Sequence, residues 1–134
     1  MKKLNILIIE NDPWIRGSLS MYLQEEGYSI IALETAEEGL EEIAQNDFDV
    51  VIADYRLPGK NGLRFLERVK VLQPDCAQIL ITAYRNKEVK AEANQMGIYN
   101  IIDKPISAKI LESSLSDLRS KKPRIKGAAR HEQL

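Results

Sequence analysis

Six positions carry residue types from which a polar reaction centre can be built: Glu10, Asn11 and Asp12 in succession, then Asp54, Thr82 and Lys104. Each lies at or just beyond the end of a short apolar run. Leu4-Asn5-Ile6-Leu7-Ile8-Ile9 precedes Glu10, Val50-Val51-Ile52-Ala53 precedes Asp54, Gln78-Ile79-Leu80-Ile81 precedes Thr82, and Asn100-Ile101-Ile102 comes shortly before Lys104. Clustered carboxylate and amide oxygens suit a hard divalent cation such as Mg2+, which takes few protein ligands and keeps several waters. Asp54 is a single carboxylate, placed to attack a phosphorus atom. Phosphoryl transfer depends mainly on position and charge neutralisation, and a cation together with Lys104 can supply the positive charge. Thr82 can donate a hydrogen bond to a phosphoryl oxygen, joined by backbone N–H groups near Ala83 and Tyr84. Gly59 and Gly62 lack the spacing of a nucleotide-cradling loop, which argues against a bound nucleotide.

Other chemistries are excluded by what the chain lacks. His131 is the only histidine and lies in a polar C-terminal stretch, so multi-histidine metal sites and Ser-His-Asp hydrolysis are not expected. Cys76 is the only cysteine, which rules out an internal disulfide. No cation neighbours Cys76 in sequence to lower its pKa, so it reads as an ordinary reduced thiol.

The elements that must position these residues follow from periodicity. The runs ending at Ile9, Leu33, Asp54, Thr82 and Ile102 are short and rich in branched apolar residues, as buried strands are. Between them lie amphipathic stretches with helical start signals. Asp12-Pro13 pairs an N-cap with proline at the first helical position, and Thr35-Ala36-Glu37-Glu38 is a capping box. Ile15, Leu19, Tyr22 and Leu23 recur at helical spacing, as do Leu63, Leu66 and Val69. Asn86 to Met96 is a more polar helix stopped at Gly97, and Ser107 caps a last helix through Leu111, Leu115 and Leu118. Trp14 is expected to pack at the start of the first helix. Five strands alternating with five helices predict an α/β domain: a parallel sheet, helices on both faces, right-handed crossovers. Ligands of such sheets bind beyond the carboxyl ends of the strands, where the six polar positions converge.

The whole chain has 134 residues, 44% hydrophobic and 29% charged, with a formal net charge of -1, in keeping with one soluble domain not built to sit on nucleic acid. No apolar run approaches the roughly 20 residues that span a bilayer, and the segment after Met1-Lys2-Lys3 is too short for a signal-peptide core, so a cytoplasmic location is expected. The composition shifts at Arg119. Residues 119–134 carry six Lys and Arg against Glu132 alone, and read as a basic, flexible tail or linker following a domain over residues 1–118.

At these positions the chain resembles the receiver domain of two-component response regulators. The resemblance covers about residues 4 to 118. It rests on Ile8-Ile9-Glu10-Asn11-Asp12-Pro13, on Val50-Val51-Ile52-Ala53-Asp54-Tyr55-Arg56-Leu57-Pro58-Gly59, on Ile81-Thr82-Ala83 and on Asp103-Lys104-Pro105, in this order and each at a strand end. It implies a flavodoxin-like sheet of order 2-1-3-4-5 and a cis Lys104–Pro105 bond. It implies that Asp54 accepts a phosphoryl group from a sensor histidine kinase or phosphotransfer protein. Mg2+ would be held by Glu10, Asn11, Asp54 and the main-chain carbonyl of Arg56, with Thr82 and Lys104 on the phosphoryl group. The domain would also catalyse its own dephosphorylation, tuned by Arg56 and Tyr84. Phosphorylation would move the fourth helix, fifth strand and fifth helix, a surface for a downstream effector or a homodimer. Two positions depart from the family pattern. Asn11 occupies a place usually held by a metal-binding aspartate, and Ile101 the place of the switch aromatic that responds to Thr82. Tyr99, two residues earlier, is expected on the same side of the strand as Ile101.

Each site residue also has a plainer reading: Asp54 as a turn acid, Asp12 as an N-cap, Thr82 as a strand former, Lys104 as a surface lysine. Two functional alternatives stay open on sequence. One is a pseudo-receiver, a phosphorylation-independent interaction module, which Asn11 and Ile101 would favour. The other is a flavodoxin-like cofactor binder, disfavoured because the acids would repel a phosphate-bearing ligand.

Overall fold

The computed structural model describes residues 3–83 and 86–121. Strands and helices alternate throughout: β1 (Asn5–Ile9), α1 (Pro13–Glu25), β2 (Ser29–Leu33), α2 (Ala36–Gln45), β3 (Val50–Asp54), α3 (Gly62–Leu72), β4 (Ala77–Thr82), α4 (Lys87–Met96), β5 (Asn100–Asp103) and α5 (Ala108–Lys121). The five strands form one sheet in the order β2-β1-β3-β4-β5, and every pairing is parallel. The order reverses between β1 and β3, so the first and third strands lie side by side at the centre, with β4 beside β3.

Strand alternation sorts the core into two layers. Leu7, Ile9, Val51, Ala53 and Leu80 meet Ala36 and Ile43 of α2, Phe65 and Leu66 of α3, and Val89 and Ala93 of α4. Ile6, Ile8, Val50, Ile52, Ile79 and Ile81 meet Leu19 and Leu23 of α1 and Leu111, Leu115 and Leu118 of α5. All five residues of β3 are buried, which explains why its sequence shows no polar alternation. Each fully buried branched side chain contributes about 1.5–3 kcal/mol, so this central strand is the least movable part of the fold.

The start signals hold at atomic level. Asp12 Oδ1 accepts hydrogen bonds from Trp14 N at 2.8 Å and Ile15 N at 3.2 Å, with Pro13 opening the helix. Thr35 and Glu38 complete their capping box, and Asn61 caps α3 by accepting from Arg64 N at 2.8 Å. Gly97 ends α4 in the left-handed region at φ 81. α4 itself is the weakest helix: Asn86 makes no side-chain cap bond, and only Val89 and Ala93 are buried.

Three expectations are corrected. Trp14 is 85% exposed rather than packed. The cap sets the phase of α1 so that Ile15, Leu19 and Leu23 face the sheet, which turns Trp14 outward. Arg119 belongs to α5, not to a flexible segment. Its guanidinium lies 4.3 Å from the ring centroid of buried Tyr28. Burial, then the hydrogen bond to Glu112, pushes the Tyr28 hydroxyl up to about 12. This stacked pair continues the helix through Lys121; residues 122–134, which include the rest of the basic segment and His131, lie outside the described residues. Finally, Tyr99 does not share a side with Ile101. Tyr99 packs toward α1 and α5, Ile101 toward α2, α3 and α4. Paired strand geometry begins only at Asn100, so alternation counted back through Tyr99 fails.

Candidate functional site

Because the strands are parallel, their carboxyl ends share one edge, and four of the six polar positions lie on it at the ends of adjacent strands. Glu10 follows β1, Asp54 closes β3, Thr82 closes β4, and Lys104 follows β5. Asp54 is 3% exposed, Glu10 3% and Thr82 1%. Polar groups buried to this degree are costly unless they have partners, so their partners define the site.

Asp54 is held from two sides. Lys104 Nζ lies 2.6 Å from Oδ2, the closest contact of the site, while Arg56 N donates to Oδ1 at 3.0 Å. The Lys104–Pro105 bond is cis, and Lys104 N donates to Thr82 O at 2.9 Å, which ties the lysine to the end of β4. Glu10 Oε2 accepts from Asp12 N at 2.9 Å. No donor among the described residues reaches Glu10 Oε1 or Thr82 Oγ1. Burial first, and then the nearby negative charge of Asp54, raise the pKa of Glu10, while the Asp12 amide and Lys104 pull the other way. A carboxyl with a raised pKa contributes stability below its unfolded value and loses that contribution as pH rises. Without a cation, the contribution of Glu10 to stability therefore falls as pH rises above the ordinary carboxyl range near 4.5.

This pattern fits a hard cation. Two neighbouring buried carboxyls, one with an oxygen that no described donor reaches, make a small anionic pocket that a positive ion would relieve. The cluster is smaller than expected. Asp12 is committed to the helix cap, and the Asn11 side chain is exposed. Among the described residues no group of three or more His, Cys, Asp or Glu is set to hold a metal. Ile101 is half-buried against the α2, α3 and α4 layer. Arg56 is exposed, and Tyr84 lies outside the described residues.

Two contributors were not singled out from sequence. Arg16 of α1 donates through one guanidinium nitrogen to Glu10 O at 2.9 Å and to Asn11 O at 3.3 Å, and so pins the loop that carries both. Gly62 sits against the carbonyl of Asp54, where a Cβ would lie 2.1 Å from the oxygen. The Asn61-Gly62 pair reads in sequence as a turn signal, and nothing local shows what the turn approaches. Beside Lys104, Trp14, Ile15, Pro105 and Ile106 line an open apolar groove of about 370 Å³.

A doubly wound five-stranded sheet with a buried carboxylate against a lysine at its carboxyl edge defines a narrow class of protein. The chain belongs to the response regulator receiver domain family, whose model matches residues 6–116. It is a receiver domain of two-component response regulators. It is 28% identical over 116 residues to the transcriptional regulatory protein GlrR of Escherichia coli (strain K12), covering 87% of this chain and 26% of that protein. It is 27% identical over 128 residues to the transcriptional regulatory protein FixJ of Bradyrhizobium diazoefficiens, covering 95% of this chain and 62% of that one. A CheY-like receiver domain protein from Methanospirillum hungatei JF-1 superposes with a TM-score of 0.82 at 30% identity, over 89% of this chain and 96% of that one. The chain thus spans about a quarter to three fifths of the length of these two curated relatives. No described helix is long and apolar enough to cross a membrane.

Proposed function

We propose that this domain accepts a phosphoryl group on Asp54 from the phosphohistidine of a sensor histidine kinase or phosphotransfer protein, in the cytoplasm and with Mg2+. The observation that carries the reading is the 2.6 Å contact between Lys104 Nζ and Asp54 Oδ2 at the sheet edge. An Asp54 oxygen attacks phosphorus, the P–N bond of the donor breaks, and the imidazole keeps the electron pair. Lys104 is placed to follow the charge from carboxylate to phosphoryl oxygen, and Thr82 Oγ1 is a free buried donor for another of those oxygens. Glu10 and Asp54, with the exposed Asn11 and the main-chain carbonyl of Arg56, would hold Mg2+, which supplies positive charge to the transferring group. Exposed Trp14 and the apolar groove beside Lys104 offer a donor protein a surface close to Asp54. Return of the acyl phosphate to the carboxylate by water would make the domain its own phosphatase, with Arg56 exposed at that edge. The surface of α4, β5 and α5 is where an effector or a second copy would read the change.

The test is intact mass after incubation with a small phosphodonor and Mg2+. One phosphoryl group is expected on the wild type and none on Asp54→Asn. Equal labelling of the Asn variant would remove Asp54 from the reading.

Asn11 makes a second expectation. An amide brings a dipole where a carboxylate would bring a full charge, so Asn11→Asp should tighten Mg2+ binding roughly tenfold, a change that needs only about 1.4 kcal/mol of extra attraction. The same substitution adds a carboxylate beside Glu10, whose pKa is already raised. The cation-free variant should therefore unfold at a lower temperature than the wild type at pH 7, with the gap closing as pH falls through the carboxylate range. Mg2+ titration followed by Trp14 fluorescence, with parallel thermal unfolding, reads both effects. Unchanged affinity would exclude position 11 from the cation site.

A further inference from the structure

Asp103 is the last residue of β5, paired in register with Thr82 of β4 and followed directly by Lys104. It therefore lies between the two residues placed to meet a phosphoryl group. Lys90 Nζ of α4 lies 2.6 Å from Asp103 Oδ1, an ion pair between helix and strand. Both side chains are about one-third exposed, 32% and 39%.

α4 has few other attachments. It lacks a side-chain N-cap bond and buries only Val89 and Ala93. Among the described residues a second ion pair joins Glu92 to Arg64 of α3. β5, by contrast, is fastened to α5 by the Asn100–Ser114 hydrogen bond and to β4 by the ladder. Ile101, the apolar β5 residue facing the α4 layer, is a small branched side chain without polar atoms. A helix this loosely seated follows whichever strand holds it by charge.

We propose that the Lys90–Asp103 ion pair couples the state of Asp54 to the position of α4 in this chain. The proposal rests on the reading of Asp54 as phosphoryl acceptor. When Lys104 and Thr82 close on a phosphoryl group, the end of β5 moves with them, because Lys104 N is bonded to Thr82 O. Asp103 carries that displacement to Lys90 and thus to α4. The coupling is electrostatic and half-exposed, so it weakens with salt.

The experiment compares amide chemical shifts with and without fluoroberyllate and Mg2+ in the wild type, Lys90→Gln, Asp103→Asn, the double variant and Lys90→Arg. In the wild type, shifts are expected at the ends of β3 and β4 and across residues 87–96. Each single neutral variant should keep the site shifts and lose at least half of those in α4. The double variant should lose no more than either single one, as two partners of one contact behave. Lys90→Arg should retain the response, and 0.5 M NaCl should attenuate it in the wild type and in Lys90→Arg but not further in the neutral variants. Site shifts in all variants with an undiminished α4 response would overturn the coupling and leave the acceptor reading standing. Additive losses in the double variant would overturn the pair as a unit. No site shifts in the wild type would overturn both.

Discussion

Gly62→Ala should cost this domain about 3 kcal/mol, at the upper end of what overpacking a core costs. A Cβ at that position would lie 2.1 Å from the carbonyl oxygen of Asp54, 2.8 Å from its carbon and 3.0 Å from Tyr55 Cα. All three atoms are backbone, so no side chain can swing away. Gly62 N also donates to Tyr55 O at 2.7 Å, which holds the start of α3 against the end of β3. Relief requires moving α3 or the Asp54 peptide, and the latter carries the acceptor carboxylate with it. The variant should therefore lose stability and phosphoryl acceptance together, with a fall in melting temperature of about 10 °C for a domain of this size. Urea unfolding gives the energy and phosphodonor labelling gives the activity. A midpoint within about 0.5 kcal/mol of the wild type would show that the contact relaxes without cost.

Lys104→Met should slow phosphoryl acceptance by about 100-fold or more, the scale of removing one preorganised charge from a transition state. The substitution also leaves the Asp54 side chain, 4% exposed, with Arg56 N as its remaining described donor. An uncompensated buried carboxylate costs several kcal/mol, and because Lys104 is 34% exposed the loss should be at the low end, about 2 kcal/mol. Asp54→Asn in the Lys104→Met background should recover most of that stability, since the amide needs no counter-charge. A double variant no more stable than Lys104→Met would mean that the methionine, rather than the stranded charge, destabilises the fold.

These two residues show how far the linear order reaches. The apolar runs ending at Ile9, Asp54 and Thr82 appear as strands because a sheet covered on both faces leaves no polar alternation. The Asp12 and Thr35 caps announce their helices because the side chain that satisfies a free N–H lies within three residues of it, whereas Asn61 read only as part of a turn. A parallel sheet then places Glu10, Asp54, Thr82 and Lys104 on one edge, so the candidate site was legible as a set. The sheet order followed from resemblance, since periodicity does not rank strands.

What the tertiary structure decided lies in contacts between residues far apart in the chain. The phase of α1, set by the Asp12 cap, turned Trp14 to solvent. Arg119 joined α5 because Tyr28, distant in sequence, gives its guanidinium a ring to stack on. Gly62 is required because α3 returns to within van der Waals range of the Asp54 carbonyl. Tyr99 faces α1 and α5 because regular pairing starts one residue later. Asp103 holds Lys90 only once α4 is laid across β5. Local signals report groups that satisfy one another along the chain; close approach, stacking and ion pairing are fixed only when the sheet has brought separate segments together.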